Sequence, residues 1–145
     1  MRVLGVDPGC KHTGWAIVDL PARSLVAIGT IRNKGVDATQ DELGARAEEH
    51  GVELVAVQVP AISGRRAPQW NKSAMSIVKN AGLACDIRGW LRGRGFRTVA
   101  VEPKARCGLK MDAKLWAKYW NHDKRCSEDA RDAAQIALMG AENAR

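Results

Sequence analysis

An α/β fold, with a five-stranded sheet covered by helices, is what the 145-residue sequence predicts, and three features carry that expectation. Three apolar, β-branched runs open the chain with only short turns between them. From residue 37 onward, helical stretches alternate with two further strand-like runs. Two helical segments then close the chain. The order βββ-α-β-α-β-α-α makes strands 1–3 an antiparallel meander and strands 4 and 5 parallel additions, because a strand that follows a helix returns by a crossover.

Each element has a local reason. Residues 2–7 (RVLGVD), 13–19 (TGWAIVD) and 25–31 (LVAIGTI) are the first three strands, joined by DPGCKH and LPARS, both good turn sequences. Residues 37–51 have helical composition and end at Gly51. Residues 52–60 (VELVAVQVP) form the fourth strand, stopped by Pro60. AISGRRAP (61–68) is a loop, after which a long helix is expected from about Gln69 to Leu91, with Ala74, Ile77, Val78, Ala81 and Ala84 at helical spacing. RGRG (92–95) ends that helix, and FRTVAVEP (96–103) reads as the fifth strand. A short helix over 111–121 and a last helix over 127–143, N-capped by Ser127, complete the chain.

Length and a hydrophobic content of 46% suit one domain spanning residues 1–145, with no repeat or linker to divide it. Cys10, Cys85, Cys107 and Cys126 lie far apart without ligand spacing, which predicts reduced thiols and a cytoplasmic setting. No signal-peptide core or membrane span is expected. Twenty-three Lys and Arg against 16 Asp and Glu leave a net charge of +7, so a polyanion is a natural partner, although many basic proteins are simply well solvated.

The carboxylates are more telling. Asp7 ends the first strand and is followed by Pro8 and Gly9, which would leave its side chain at the C-terminal edge of the sheet, where ligands bind in open α/β folds. An ordinary turn aspartate is the competing reading. Asp129 and Asp132 share one face of the last helix with Ala133, Ile136 and Gly140, which is its apolar side. Glu128, Arg131, Gln135 and Glu142 are expected on the opposite, solvated side. Acids in a first turn also complement the helix dipole, which accounts for Glu128 better than for two acids directed inward. Gln58, near the end of the fourth strand, is an amide in a strongly apolar run and requires a partner. Together these residues make an oxygen-rich cluster of the kind that hard divalent cations bind.

The stretch VLGVDPGCKHTGWAIVD resembles the opening of the RuvC family of Holliday-junction resolvases, with Asp-Pro-Gly and then Thr-Gly at the family's spacing. SEDARDAAQIAL resembles the family's closing helix, so the likeness reaches both ends of the chain and is thinnest over 20–50 and 104–126. It implies a ribonuclease H-like fold with a mixed five-stranded sheet, a homodimer, and an endonuclease that nicks two strands of a four-way DNA junction. Two Mg²⁺ ions per site, with Mn²⁺ able to substitute, would be held by Asp7, Asp129, Asp132 and the residue at position 58. The family has glutamate there, whereas this chain has Gln58.

Glutamine keeps the shape of glutamate without its charge, so catalysis is expected to be impaired more than folding or DNA binding. Three origins fit the substitution: an engineered Glu-to-Gln change, a natively non-catalytic junction-binding protein, or a displaced ligand. Glu102 is the substitute to test, and Glu53 falls on the other face of its strand. A ribonuclease H-like nuclease acting on RNA or branched replication intermediates is a further alternative.

For DNA phosphates the candidates are Arg65 and Arg66 in the loop after Gln58, and Lys104, Arg106 and Lys110 after the fifth strand. Arg88, Arg92, Arg94 and Arg97 form another basic group that a solvated helix end explains equally well. Trp116, Tyr119 and Trp120 could stack on bases, but helical spacing favours a core role for Trp116. The small residues Ala74, Ala81 and Ala84 suit either a two-fold mate or the monomer's own core.

Overall fold

Alternation along β1 (Arg2–Asp7) sends Leu4 and Val6 to one side of the sheet and Val3, Gly5 and Asp7 to the other. Every other element is organised around this strand. In the computed structural model, which describes residues 1–60, 72–102, 112–122 and 124–144, β1 pairs antiparallel with β2 (His12–Asp19), and β2 with β3 (Ser24–Arg32). On its other edge β1 pairs parallel with β4 (Leu54–Gln58), and β4 pairs parallel with β5 (Arg97–Val101). The order β3-β2-β1-β4-β5 is the mixed sheet that the sequence predicts.

One face of the sheet is covered by α1 (Val36–Glu49) and α2 (Lys72–Gly93). Leu43, Ala47, Ala84, Ile87 and Leu91 from these helices meet Leu4, Val6, Val55 and Val57 in one apolar cluster. Ala81 and Ala84 are buried within the protomer itself, while Met75, Ile77 and Val78 stand exposed on the same helix. The small residues therefore serve the chain's own core, and the side chain of Ala74 lies outside those described.

The other face carries α4 (Glu128–Asn143), preceded by α3 (Ala113–Trp120). Close approach is possible because the sheet offers glycine beneath the helix. A Cβ on Gly5 would collide with the backbone of Ala133 and Ala137, and one on Gly14 with the backbone of Asp129 and Ala130. Ser127 caps α4 as expected, its Oγ accepting from the Ala130 N–H at 3.1 Å. Asp112 caps α3 by accepting from Lys114 and Leu115.

Trp116 and Trp120 are both buried, in the same cluster as Ala133, Ile136 and Met139, and Tyr119 is exposed. The core role expected of Trp116 holds and extends to Trp120. With the sheet on one side and the tryptophans of α3 in the same cluster, α4 is enclosed well beyond a single stripe. Gln135 is accordingly buried at 3% exposure, which corrects its assignment to a solvated face shared with Glu128 and Glu142. Cys10, Cys85 and Cys126 are free thiols, and among the described residues no helix is long and apolar enough to cross a membrane.

Candidate functional site

All three parallel strands end at one edge of the sheet, and Asp7 and Gln58 stand there as neighbours. Val6 is opposite Val57 in the parallel ladder, so the next residue on each strand is Asp7 and Gln58 respectively. Adjacent strands lie about 4.8 Å apart. By alternation both residues belong to the face of Val3, Leu54 and Ala56, which α4 covers. On the opposite flank Asp7 pairs with Gly14 of β2, and Gly14 is the residue over which the Asp129 backbone is seated. The glycine of the Thr-Gly pair thus brings the start of α4 down beside Asp7. Asp132, one helical turn on, is only 8% exposed, and neither it nor Asp7 is without a partner.

Gln58 is half-buried, yet its Oε1 is fully buried and has no hydrogen-bond partner among the described residues. An orphaned carbonyl oxygen beside a carboxylate-bearing edge suits a hard cation, as do the three aspartates. In donor chemistry the set fits a divalent metal such as Mg²⁺. Among the described residues, however, no three His, Cys, Asp or Glu side chains form a cluster able to hold an ion. The arrangement is one of aligned positions in which the fourth member is a neutral amide. The two glutamates considered as substitutes differ in place: Glu102 follows Val101, the register partner of Gln58, at the same sheet edge but by alternation on the other face, whereas Glu53 is remote. Glu53 lies at the far end of β4, where it accepts from the Arg2 N–H at 3.2 Å and pairs with the N-terminal ammonium at 3.6 Å. Glu102 is exposed, one residue past the end of β5.

Arg65, Arg66, Lys104, Arg106 and Lys110 lie outside the described residues. Arg94 and Arg97 sit at the opposite end of the sheet from Asp7. Arg97 opens β5 and donates to the Ala144 carbonyl at 2.7 Å, and Arg94 pairs with Glu48 at 3.0 Å while stacking on Trp90. These two are structural partners rather than part of the edge.

The edge has cations of its own that spacing alone did not single out. Lys11 and His12 follow the Asp-Pro-Gly turn, and Arg32 pairs with His12 in the β2–β3 register. These three line a shallow groove with Cys10 and Asn33, and Lys34 is exposed next to it. Lys124 and Arg125 line a second groove, with Thr30 and Ser127, just ahead of α4. Only the hairpin register reveals that Lys11 and Arg32 are neighbours. Beside this second groove, burial pushes the Cys126 thiol above its ordinary pKa, partly opposed by the positive charge and hydrogen bond of Arg131.

No family model matches the chain. Among curated proteins it is similar to the crossover junction endodeoxyribonuclease RuvC of Rhizobium etli, 32% identical over 97 residues, which is 57% of this chain and 57% of the relative. The chain therefore spans little more than half the length of the curated relatives it matches. Among solved structures it superposes on Thermus thermophilus RuvC in complex with a Holliday junction substrate, with a TM-score of 0.74 and 20% identity over 100% of this chain and 96% of the other. It also superposes on the fowlpox virus resolvase bound to Holliday junction DNA, with a TM-score of 0.59 and 15% identity over 97% and 99% of the two chains. In sequence and fold the chain is RuvC-like, and the fold is the ribonuclease H-like one.

Proposed function

We propose that this chain is a RuvC-like, structure-specific DNA endonuclease acting on four-way junctions, with Asp7, Gln58, Asp129 and Asp132 as its metal-binding and catalytic set. The observation that carries the reading is the adjacency of Asp7 and Gln58 at the ends of neighbouring parallel strands, with Asp129 seated over the Gly14 that flanks Asp7. Asp7, on the central strand, stands between the two sources of further oxygen donors. Gln58 supplies one neutral oxygen from β4, and Asp129 and Asp132 supply carboxylates from α4. Two Mg²⁺ ions, or Mn²⁺ in their place, would contribute Lewis-acid stabilisation of an in-line displacement at phosphorus. Three carboxylates balance the charge of two divalent ions less well than four, so the amide lowers occupancy and turnover while leaving DNA contact intact.

The cations around this edge, Lys11, Arg32, Lys34, Lys124 and Arg125, suit backbone phosphates, and Arg65, Arg66, Lys104, Arg106 and Lys110 are proposed for the same role. A homodimer is part of the reading. Exposed Met75, Ile77 and Val78 on α2 offer it an apolar surface.

A second reading, a non-catalytic junction-binding protein, draws on Gln58 itself and on the lack of a three-acid cluster among the described residues. One experiment separates the two. Labelled four-way junctions are incubated in Mg²⁺ with the parent, with Gln58→Glu, and with Gln58→Glu combined with Asp7→Asn. Symmetric nicking that appears or rises in Gln58→Glu and vanishes in the double variant is the expected result. A Gln58→Glu protein that binds junctions and cuts no better than the parent sinks the catalytic reading. Equal binding of junction and linear duplex sinks both.

A further inference from the structure

Asn33 lies just past β3, where the β1–β2 turn, the β3 end and the start of α1 meet. Its side-chain amide donates to the carbonyl of Gly9, inside the Asp-Pro-Gly turn. Its Oδ1 accepts from the Thr13 hydroxyl at 3.0 Å and lies 3.2 Å from that of Thr39 on α1. Its backbone N–H donates to the Lys11 carbonyl at 3.0 Å. These partners fix which end of the amide is which, since a carbonyl can only accept and the threonines are the donors available to Oδ1. Thr13 and Thr39 are fully buried, so the acceptor side of this network is shielded from competing water.

The Gly9 arm is the informative one, because holding β3 against α1 requires only the threonine side. Gly9 is two residues from Asp7, and the residue between them is Pro8, whose ring fixes φ. Pro8 also restricts the backbone of Asp7 before it, so a displacement of Gly9 is only partly absorbed before it reaches Asp7.

We propose that Asn33 is a positioning residue for Asp7: by gripping the Gly9 carbonyl it sets the height of the Asp-Pro-Gly turn, and with it the carboxylate at the sheet edge. The proposal rests on the reading of Asp7 as a metal ligand. A misplacement of about 1 Å in such a group lowers turnover by as much as roughly a hundredfold without weakening substrate binding.

The test uses the full chain carrying Gln58→Glu, and compares it with Asn33→Ala, Asn33→Asp and Thr39→Val made in that background. Asn33→Asp keeps the acceptor for both threonines and replaces the Gly9 donor with an oxygen that repels it. Thr39→Val removes the α1 arm, together with the hydroxyl's other acceptor contact, to the Gly35 carbonyl at 3.1 Å, and leaves the Gly9 arm in place. Three quantities are read: amide hydrogen exchange over residues 9–13 without metal, the Mn²⁺ concentration that half-saturates the rise in Tm, and turnover separately from KM for junctions.

Both Asn33 variants are expected to exchange faster over the turn, to need at least about fivefold more Mn²⁺, and to lose about ten- to a hundredfold in turnover with KM within twofold. Thr39→Val is expected to lower Tm while leaving the Mn²⁺ requirement unchanged. Asn33 variants that lose stability but match Thr39→Val in Mn²⁺ requirement and turnover overturn the proposal. Should the Gln58→Glu parent show neither a Mn²⁺-dependent Tm nor cleavage, the metal reading of Asp7 is what has failed, and the proposal falls with it.

Discussion

Replacing Gln58 with glutamate adds a charge where the buried amide oxygen already has no partner among the described residues. An unsatisfied buried acceptor costs about 1–3 kcal/mol, and a carboxylate in its place, beside Asp7, costs more. The parent already bears the first cost, so metal-free Gln58→Glu is expected to be less stable than the parent by the difference, about 1 kcal/mol or more, which for a chain of this length is a fall in Tm of roughly 3 °C or more. The sign with pH follows from burial, which raises the pKa of the new carboxyl above its unfolded value of about 4.3. The deficit is thus fully present at neutral pH and fades as pH falls through the folded value toward the unfolded one. Saturating Mg²⁺ reverses it, since a ligand at a hundred times its Kd contributes about 2.7 kcal/mol. Differential scanning calorimetry with EDTA and with Mg²⁺ should show a larger metal-dependent rise for Gln58→Glu than for the parent. The control is Gln58→Met, which fills similar volume without the orphaned amide and is expected to raise the metal-free Tm slightly. A Gln58→Glu protein as stable as the parent without metal, or a Gln58→Met protein destabilised by more than about 1 kcal/mol, would refute the account of an unpartnered oxygen.

Three other expectations follow from the same geometry. Gly14→Ala drives a methyl group into the Asp129 backbone, so it should cost more than about 3 kcal/mol or prevent folding, as read by urea denaturation; a loss under about 1 kcal/mol would mean that α4 does not sit on Gly14. The raised Cys126 pKa predicts stability lost as pH climbs above the unfolded thiol value of about 8.5 toward the folded one, and Cys126→Ala should flatten that alkaline decline in Tm. Combining Lys11→Ala, Arg32→Ala and Lys124→Ala should flatten the log–log salt dependence of junction binding by about 0.9 for each phosphate no longer neutralised, whereas Arg97→Ala, at the far end of the sheet, should leave the slope unchanged.

The sheet was legible because each strand announces itself by alternation within a few residues, and because a parallel return after a helix is the economical topology. Asp7 and Gln58 were legible for the same reason: strand ends are local, and a lone amide in LVAVQ contradicts its surroundings. Gln135 misled because helical periodicity assigns a residue to a face but does not say how many faces are covered. Two tryptophans from an eight-residue helix joined the same cluster as α4, and no pattern within α4 records that.

Asn33 was invisible for a deeper reason. Its partners Gly9, Thr13 and Thr39 come from three separate elements, and only the β2–β3 register, with Thr13 opposite Ile31, carries the end of β3 back to the turn. A side chain whose work consists of joining elements has no local signature, because any polar residue between a strand and a helix reads as a loop. The candidate ligands could therefore be read from sequence while the residue holding one of them in place could not. That asymmetry follows from the physics of the site: a metal ligand is defined by its own chemistry, and a positioning residue only by what it touches.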